Sequence, residues 1–121
     1  MPGTIVLAED DGALRESLAE FLRDQEYTVL TARDGVEVLE LLSQRTPDVI
    51  LTDLLMPAMH GSDLLAAIRI NQSYDHVPII VMSAYLQQWT ARVSGADHVL
   101  SKPLDTKQLL SILRRYCPAP R

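Results

Sequence analysis

Cysteine is almost absent from the sequence, because Cys117 is the single one among 121 residues. One cysteine cannot form an intramolecular disulfide, and this usage is typical of a reducing compartment. Residues 1–4 carry no basic segment of the kind that opens a secretory signal. No stretch approaches the roughly 18 consecutive apolar residues of a membrane span. These absences lead us to expect a cytoplasmic protein that does not contact a membrane.

An excess of basic charge is also lacking. The chain has 11 lysines and arginines against 16 aspartates and glutamates, which gives a formal net charge of -5. Contacts with nucleic-acid phosphates or anionic lipids require clustered basic side chains, so direct nucleic-acid binding by this domain is not expected. The acidic balance instead suits a domain that binds cations.

The length and composition indicate one domain. With 121 residues, 47% of them hydrophobic, the chain can bury an ordinary core without disulfides or structural metals. No repeat, low-complexity tract or linker interrupts it before Pro118-Ala119-Pro120-Arg121. We therefore assign residues 1–117 to one domain and residues 118–121 to a C-terminal tail or the start of a linker.

A run of β-branched and aliphatic residues, Val49–Thr52, ends on the carboxylate of Asp53 and leads to Pro57. Because the run lacks apolar–polar alternation, it predicts a strand covered on both faces, the usual condition of parallel strands. Pro57 has no backbone N–H for a ladder, so the strand must end before it. Asp53 is therefore predicted at the carboxyl end of a strand, where open α/β sheets place their ligands.

Strand and helix patterns alternate along the rest of the chain. The other predicted strands are Thr4–Ala8, Tyr27–Thr31, Val77–Met82 and His98–Ser101. Apolar residues at helical spacing follow the strands, and they are Leu14, Leu18, Phe21 and Leu22, then Val38, Leu39 and Leu42, then Leu64, Leu65 and Ile68, then a short stretch from Trp89 to Val93, and finally Leu109, Ile112 and Leu113. Such alternation predicts parallel βαβ units, hence an α/β, doubly wound, five-stranded parallel sheet.

Chemically active side chains follow the predicted strands at their carboxyl ends. They are Glu9 and Asp10 after the first strand, Asp53 at the third, Ser83 at the fourth and Lys102 at the fifth. We expect them to meet in one pocket. Three neighbouring carboxylates repel one another, and a hard divalent cation such as Mg²⁺ relieves the repulsion. The lysine ammonium and the serine hydroxyl would suit a phosphoryl group.

The five glycines are scattered and form neither Gly-x-Gly-x-x-Gly nor Gly-x-x-x-x-Gly-Lys-Ser/Thr. The chain therefore has no glycine-rich loop to cradle the phosphates of a nucleotide. We expect a small phosphoryl group that is held covalently. The carboxylate of Asp53 can act as its nucleophile and form an acyl phosphate.

The chain resembles a response-regulator receiver domain of two-component signalling over nearly its whole length. The motifs that carry the resemblance are, in order, Val6-Leu7-Ala8-Glu9-Asp10-Asp11, Asp53 with Met56-Pro57 and Gly61, Ser83-Ala84, and Lys102-Pro103. Each motif alone is weakly specific, whereas all of them in this order are highly specific. The resemblance implies a flavodoxin-like (βα)5 sandwich with strand order 2-1-3-4-5, the order known for a chemotaxis receiver.

The resemblance also implies a metal site for Mg²⁺. Asp10 would bind the ion directly, and Glu9 would bind it through water. Asp53 would contribute its carboxylate, and Leu55 only its backbone carbonyl. Because the contribution of residue 55 is a main-chain atom, an apolar side chain there removes no ligand.

The resemblance also implies which residues take part in phosphoryl transfer, and they lie at the carboxyl ends of three predicted strands. Asp53 would be the phosphoacceptor. Ser83 and Lys102 would contact the phosphoryl oxygens. The Lys102-Pro103 peptide bond is expected to be cis, a form that only bonds to proline adopt at low energetic cost.

The sequence departs from the family pattern in the part that usually relays the signal. Val99 stands two residues before Ser101, where family members usually carry an aromatic residue. The segment from Ser83 to Lys102 is about one helical turn shorter than the family's, which predicts a shortened helix around Trp89. The family's coupled rotation of a hydroxyl group and an aromatic ring cannot work in the same way here.

Two further departures look like surface variation. Glu26 stands where a glycine often ends the first helix. His60 stands where an aspartate is common.

By resemblance, a sensor histidine kinase or a phosphotransfer protein would donate a phosphoryl group to Asp53 in a Mg²⁺-dependent reaction. The modification would shift a protein-interaction surface between two states. The domain would then be a switch rather than a turnover enzyme. Its output would lie with an unidentified domain or partner protein, and the sequence also allows a homodimer.

Two other functions remain open. One is a phosphorylation-independent interaction module that has kept the pocket but lost the switch, which Val99 and the shortened helix around Trp89 both favour. The other is an aspartate-nucleophile phosphatase on a similar sheet. The sequence disfavours the phosphatase, because Asp53-Leu54-Leu55 lacks the second acid of an Asp-x-Asp arrangement.

Overall fold

The computed structural model describes residues 3–59, 61–84 and 95–117. Within them the chain forms β1 (Thr4–Ala8), α1 (Gly12–Asp24), β2 (Thr28–Ala32), α2 (Gly35–Gln44), β3 (Val49–Asp53), α3 (Gly61–Arg69), β4 (Ile79–Ser83), β5 (His98–Ser101) and α4 (Thr106–Tyr116). No helix among these residues is both long enough and apolar enough to cross a membrane. The stretch predicted as helical from Trp89 to Val93, residue His60 and the tail 118–121 lie outside the described residues.

The five strands form one parallel sheet in the order β2-β1-β3-β4-β5. This confirms the predicted order 2-1-3-4-5 and the doubly wound class. Every residue of β1, β3 and β4 is buried. Side chains that alternate along β1 enter two different cores, since Ile5 and Leu7 pack with α1 and α4 while Val6 packs with α2 and α3.

β2 and β4 begin one and two residues later than the sequence predicts. The N–H of Tyr27 donates to the carbonyl oxygen of Leu22 at 3.2 Å, so Tyr27 belongs to the end of α1. The N–H of Val77 donates to the carbonyl oxygen of Tyr74 at 3.0 Å, which places Val77 in a turn. Proline at residue 78 has no N–H for the ladder, and β4 therefore starts at Ile79.

The end of α1 holds Glu26 in a left-handed backbone conformation. The N–H of Glu26 donates to the carbonyl oxygen of Arg23 at 2.9 Å, and the bond from Tyr27 to Leu22 completes a Schellman motif. The φ angle of Glu26 is 72°. Glycine adopts this region without a Cβ penalty, whereas another residue is destabilised by about 1 kcal/mol. The predicted departure from glycine at this position thus has a conformational cost.

We expect Glu26→Gly to raise the free energy of unfolding by about 0.5–1 kcal/mol, because the relief of backbone strain outweighs the added freedom of the unfolded chain. Urea denaturation measures the change. Gln25→Gly is the matched control: Gln25 has a φ of -86°, so glycine there should destabilise. A loss of stability in Glu26→Gly would contradict the strain argument.

Arg69, at the end of α3, connects the segments that lead into β4 and β5. Its guanidinium donates to three backbone carbonyl oxygens, those of Asp75 (2.7 Å), Val77 (2.8 Å) and Gly95 (2.8 Å). A fourth bond, of 2.9 Å, goes to Oδ2 of Asp97. The same Asp97 oxygen accepts the N–H of Ile79 at 2.8 Å, so one charged pair anchors the first residue of β4.

We expect Arg69→Met to destabilise the fold by about 1–2 kcal/mol, because it removes a charged donor from several acceptors at once, although most of these contacts are exposed to solvent. Chemical denaturation measures the loss. Arg114→Met, at an exposed arginine of α4, serves as the control and should change stability by less than about 0.5 kcal/mol. Equal effects of the two substitutions would show that the Arg69 contacts contribute little.

Candidate functional site

The parallel sheet brings the predicted site residues to one edge. Glu9 and Asp10 follow β1, Asp53 ends β3, Ser83 ends β4 and Lys102 follows β5. The sheet register pairs Asp53 with Met82, one residue before Ser83, and the N–H of Lys102 donates to the carbonyl oxygen of Ser83 at 2.9 Å. All five therefore lie at the carboxyl ends of strands, as the sequence predicts.

Three of these residues form an acidic cluster. One carboxylate oxygen from each of Glu9, Asp10 and Asp53 lies within 4.8 Å of the others. Glu9 and Asp53 are buried, with 1% and 7% of their surface exposed, whereas Asp10 is exposed. Carboxylates at this spacing match the all-oxygen ligand preference of Mg²⁺, and the exposed Asp10 leaves the cluster open to solvent. The donor set fits the predicted ion.

Lys102 bridges the two buried carboxylates. Its Nζ lies 2.5 Å from Oε1 of Glu9 and 2.5 Å from Oδ2 of Asp53. Burial lowers the pKa of Lys102, but the hydrogen bonds to Asp53 and Glu9 outweigh burial, so the net shift of its pKa is upward. Lys102 is therefore a charged ammonium group in contact with the side chain of Asp53.

Glu9 occupies the most buried position of the cluster. Its backbone N–H donates to the carbonyl oxygen of Ala32 at 3.0 Å, and its Oε2 accepts the N–H of Asp11 at 3.2 Å. Burial raises the pKa of Glu9 to about 7, against the opposing hydrogen bond from Lys102, and the negative charge of Asp53 adds to the increase. A buried carboxylate of this kind favours either a proton or a bound cation.

The loop after β3 encloses Asp53. The N–H of Leu55 donates to Oδ1 of Asp53 at 3.2 Å, so the two oxygens of the carboxylate have different partners. Leu54 is buried, and the side chain of Leu55 is 37% exposed. Residue 55 therefore contacts Asp53 through its backbone N–H.

Ser83 and Pro103 complete the strand ends. Ser83 is buried, with 1% of its surface exposed, at the last position of β4. The Lys102-Pro103 peptide bond is cis, which confirms the prediction. Asp11 is the N-cap of α1, since its side chain accepts the N–H of Leu14 at 3.1 Å.

Sequence reasoning missed Arg15. Its Nη1 donates to the backbone carbonyl oxygen of Glu9 at 2.9 Å. The available signal was a cation in the first turn of α1, because the positive end of the helix dipole disfavours a basic residue there.

An apolar groove of about 660 Å³ adjoins the site. The described residues that line it include Leu14, Leu18, Phe21, Lys102, Pro103 and Leu104. It therefore lies between α1 and the connection from β5 to α4. Leu14 is 39% exposed at its rim, so the groove offers apolar surface next to Lys102.

Comparison with known families matches residues 5–114 to the response regulator receiver domain. The chain belongs to this family. Response regulator MprA of Mycobacterium sp. (strain KMS) is 35% identical over 125 aligned positions, which cover 98% of this chain and 54% of that protein. This receiver domain thus spans about half the length of that relative.

Solved structures agree with the family and the fold. The chemotaxis response regulator CheY4 of Vibrio cholerae has a TM-score of 0.84 and 30% identity, covering 96% of this receiver domain and 99% of that chain. The receiver domain of sensor histidine kinase PA1611 from Pseudomonas aeruginosa PAO1 has a TM-score of 0.89 and 27% identity, covering 96% and 98%. That structure contains a magnesium ion coordinated in its active-site cleft.

The raised pKa of Glu9 predicts a pH-dependent stability in metal-free buffer. Between the ordinary pKa of 4.5 and the folded value of about 7, the folded state holds the proton of Glu9 more tightly than the unfolded chain. Stability therefore falls as pH rises through this window. Glu9→Gln should remove that fall and should be more stable than the parent at pH 8, by roughly 1–3 kcal/mol.

Denaturation at pH 5 and at pH 8 in the presence of a chelator measures this effect. Glu16→Gln is the control, because Glu16 is an exposed glutamate on α1 and should leave the pH profile unchanged. If Glu9→Gln is less stable than the parent at pH 8, the ion pair with Lys102 contributes more than burial costs.

Proposed function

We propose that this receiver domain takes a phosphoryl group onto Asp53 from a sensor histidine kinase or a phosphotransfer protein in a Mg²⁺-dependent reaction. The observation that carries the proposal is the contact of Lys102 with both Glu9 and Asp53, beside the exposed carboxylate of Asp10. A structural ion pair would need one carboxylate. Two carboxylates on one ammonium, with a third within reach, match the charges of phosphoryl transfer.

The transfer reaction places each group in a definite role. An oxygen of Asp53 attacks phosphorus, the P–N bond of the donor phosphohistidine breaks, and the electron pair stays on the imidazole nitrogen, which takes up a proton. The product is an acyl phosphate. Lys102 supplies positive charge to the transferring group, and Ser83 donates its hydroxyl to a phosphoryl oxygen. Bound Mg²⁺ supplies further positive charge against the phosphoryl oxygens.

For the metal, we assign direct ligation to Asp10 and Asp53, a water-mediated contact to Glu9 and a backbone carbonyl contact to Leu55. The spacing of the three carboxylates supports this assignment. The magnesium ion in the cleft of the PA1611 receiver domain supports it as well. We assign no separate organic cofactor.

The partners follow from the reaction. The donor is a sensor histidine kinase or a phosphotransfer protein that reaches this domain in the cytoplasm, and the apolar groove beside Lys102 offers such a protein a contact surface close to Asp53. The domain, which we place at residues 1–117 with 118–121 as tail or linker start, acts as a switch rather than as a turnover enzyme. Its output reaches another domain, a partner protein or a second copy of the chain.

A phosphorylation-independent interaction module is the second candidate. Its support is Val99, which is only partly buried on β5 and pairs in register with Val81. Valine has no aromatic ring to move between an outer and an inner position, so the usual switch has no equivalent at residue 99. Chemical phosphorylation separates the two candidates.

Incubation with acetyl phosphate and Mg²⁺ should add one phosphoryl group to the chain, as measured by intact-mass analysis. Asp53→Asn should abolish the adduct, because an amide is not a nucleophile for this reaction. Asp63→Asn, at an exposed aspartate of α3, is the matched control and should be modified like the parent. No adduct, together with no response to beryllofluoride, would instead favour the interaction module.

A further inference from the structure

We propose that Arg15 is a positioning residue for the metal-binding carboxylates. The inference rests on the proposed function, because it concerns the same Mg²⁺ site. Its basis is the charged hydrogen bond of 2.9 Å from Nη1 of Arg15 to the backbone carbonyl oxygen of Glu9. That carbonyl belongs to the peptide unit that joins Glu9 to Asp10, so the guanidinium holds the backbone between two of the three clustered carboxylates.

The acidic loop is held by hydrogen bonds on both sides of Asp10. Before it, the N–H of Glu9 donates to Ala32 at 3.0 Å and its carbonyl accepts from Arg15. After it, the N–H of Asp11 donates to Glu9, and the side chain of Asp11 caps α1 at Leu14. Among the described residues, no hydrogen bond holds the Asp10 side chain itself. The orientation of this exposed ligand therefore depends on the backbone that Arg15 restrains.

Among the described residues, the side chain of Arg15 makes its hydrogen bond to the backbone carbonyl oxygen of Glu9 and to no carboxylate. A cation in the first turn of a helix opposes the helix dipole, so its charge does not favour the start of α1. Glu37 is a carboxylate that attracts Arg15, since the charge of Arg15 contributes to lowering the pKa of Glu37. The hydrogen bonds of Glu37, however, come from Arg33, through a salt bridge of 2.8 Å and a backbone N–H bond of 2.8 Å. Arg15 thus directs its donor to the Glu9 carbonyl.

The charge and the position of Arg15 act on Mg²⁺ in opposite directions. Its positive charge repels the ion, but the guanidinium is only partly buried and is screened by salt over a Debye length of about 8 Å. Loss of the hydrogen bond frees the Glu9–Asp10 peptide unit, and contacts that orient metal ligands affect affinity by about tenfold or more in buried sites. We therefore expect positioning to outweigh repulsion at physiological salt.

Isothermal titration of the unphosphorylated chain with MgCl₂ tests this. Arg15→Ala should weaken Mg²⁺ binding by about fivefold, with little change in metal-free stability because alanine suits a helix. Arg15→Lys keeps a charged donor and should recover most of the affinity. Arg23→Ala is the matched control. Arg23 lies on the same helix, and its Nη2 donates to the backbone carbonyl oxygen of Val29 at 2.9 Å, a contact that does not involve the acidic cluster. It should bind Mg²⁺ like the parent.

An unchanged or tighter affinity in Arg15→Ala would overturn the inference, as would an equal loss in Arg23→Ala. In both cases the parent still binds Mg²⁺, and the proposed function stands. If the parent itself binds no Mg²⁺, the proposed metal site and this inference both fall. A loss in Arg15→Ala that Arg15→Lys does not recover would also overturn it, because the missing atoms would then matter for packing rather than for donating to Glu9.

Discussion

The contact of Lys102 with Glu9 and Asp53 is the interaction on which the rest of the site depends. Two carboxylates are buried next to each other, and burial alone favours the neutral form of Glu9. The ammonium group between them offsets part of that cost, at 2.5 Å from each. It can reach both only because β1, β3 and β5 are parallel and end at the same edge. The ion pairs of Lys102 with Glu9 and Asp53 therefore depend on the parallel topology of the sheet.

The apolar strands form the core of the sheet, whereas the charged residues at the ends of the strands form the site. Every residue of β1, β3 and β4 is buried, which makes the middle of the sheet rigid. Acidic groups begin immediately after β1 and at the last residue of β3. A rigid support holds them at short distance even though they repel. Residues that lower stability in this way are common where proteins bind ions or phosphoryl groups, because the ligand then supplies the missing charge.

The described residues offer a physical link from this edge to the opposite end of the sheet. α3 begins after the loop that encloses Asp53 and ends at Arg69. Arg69 bonds to Asp97, directly before β5, and β5 leads back to Lys102. With valine at residue 99, this receiver domain has no aromatic ring at that position of β5 to move when its surface changes.

Much of this protein could be predicted from sequence. The unbroken apolar run before Asp53 identified a parallel strand, and parallel strands necessarily place their ends together, so the grouping of Glu9, Asp10, Asp53 and Lys102 followed from local pattern and topology. The pattern was weaker at element ends, where Tyr27 belongs to a helix cap and Val77 to a turn, because backbone hydrogen bonds rather than side-chain polarity decide such boundaries. Only the tertiary structure showed that Lys102 bridges two carboxylates, that burial raises the pKa of Glu9, and that Arg15 bonds to the Glu9 carbonyl. Each of these depends on distances and on exclusion of water, which arise when separate elements pack and which a linear pattern does not contain.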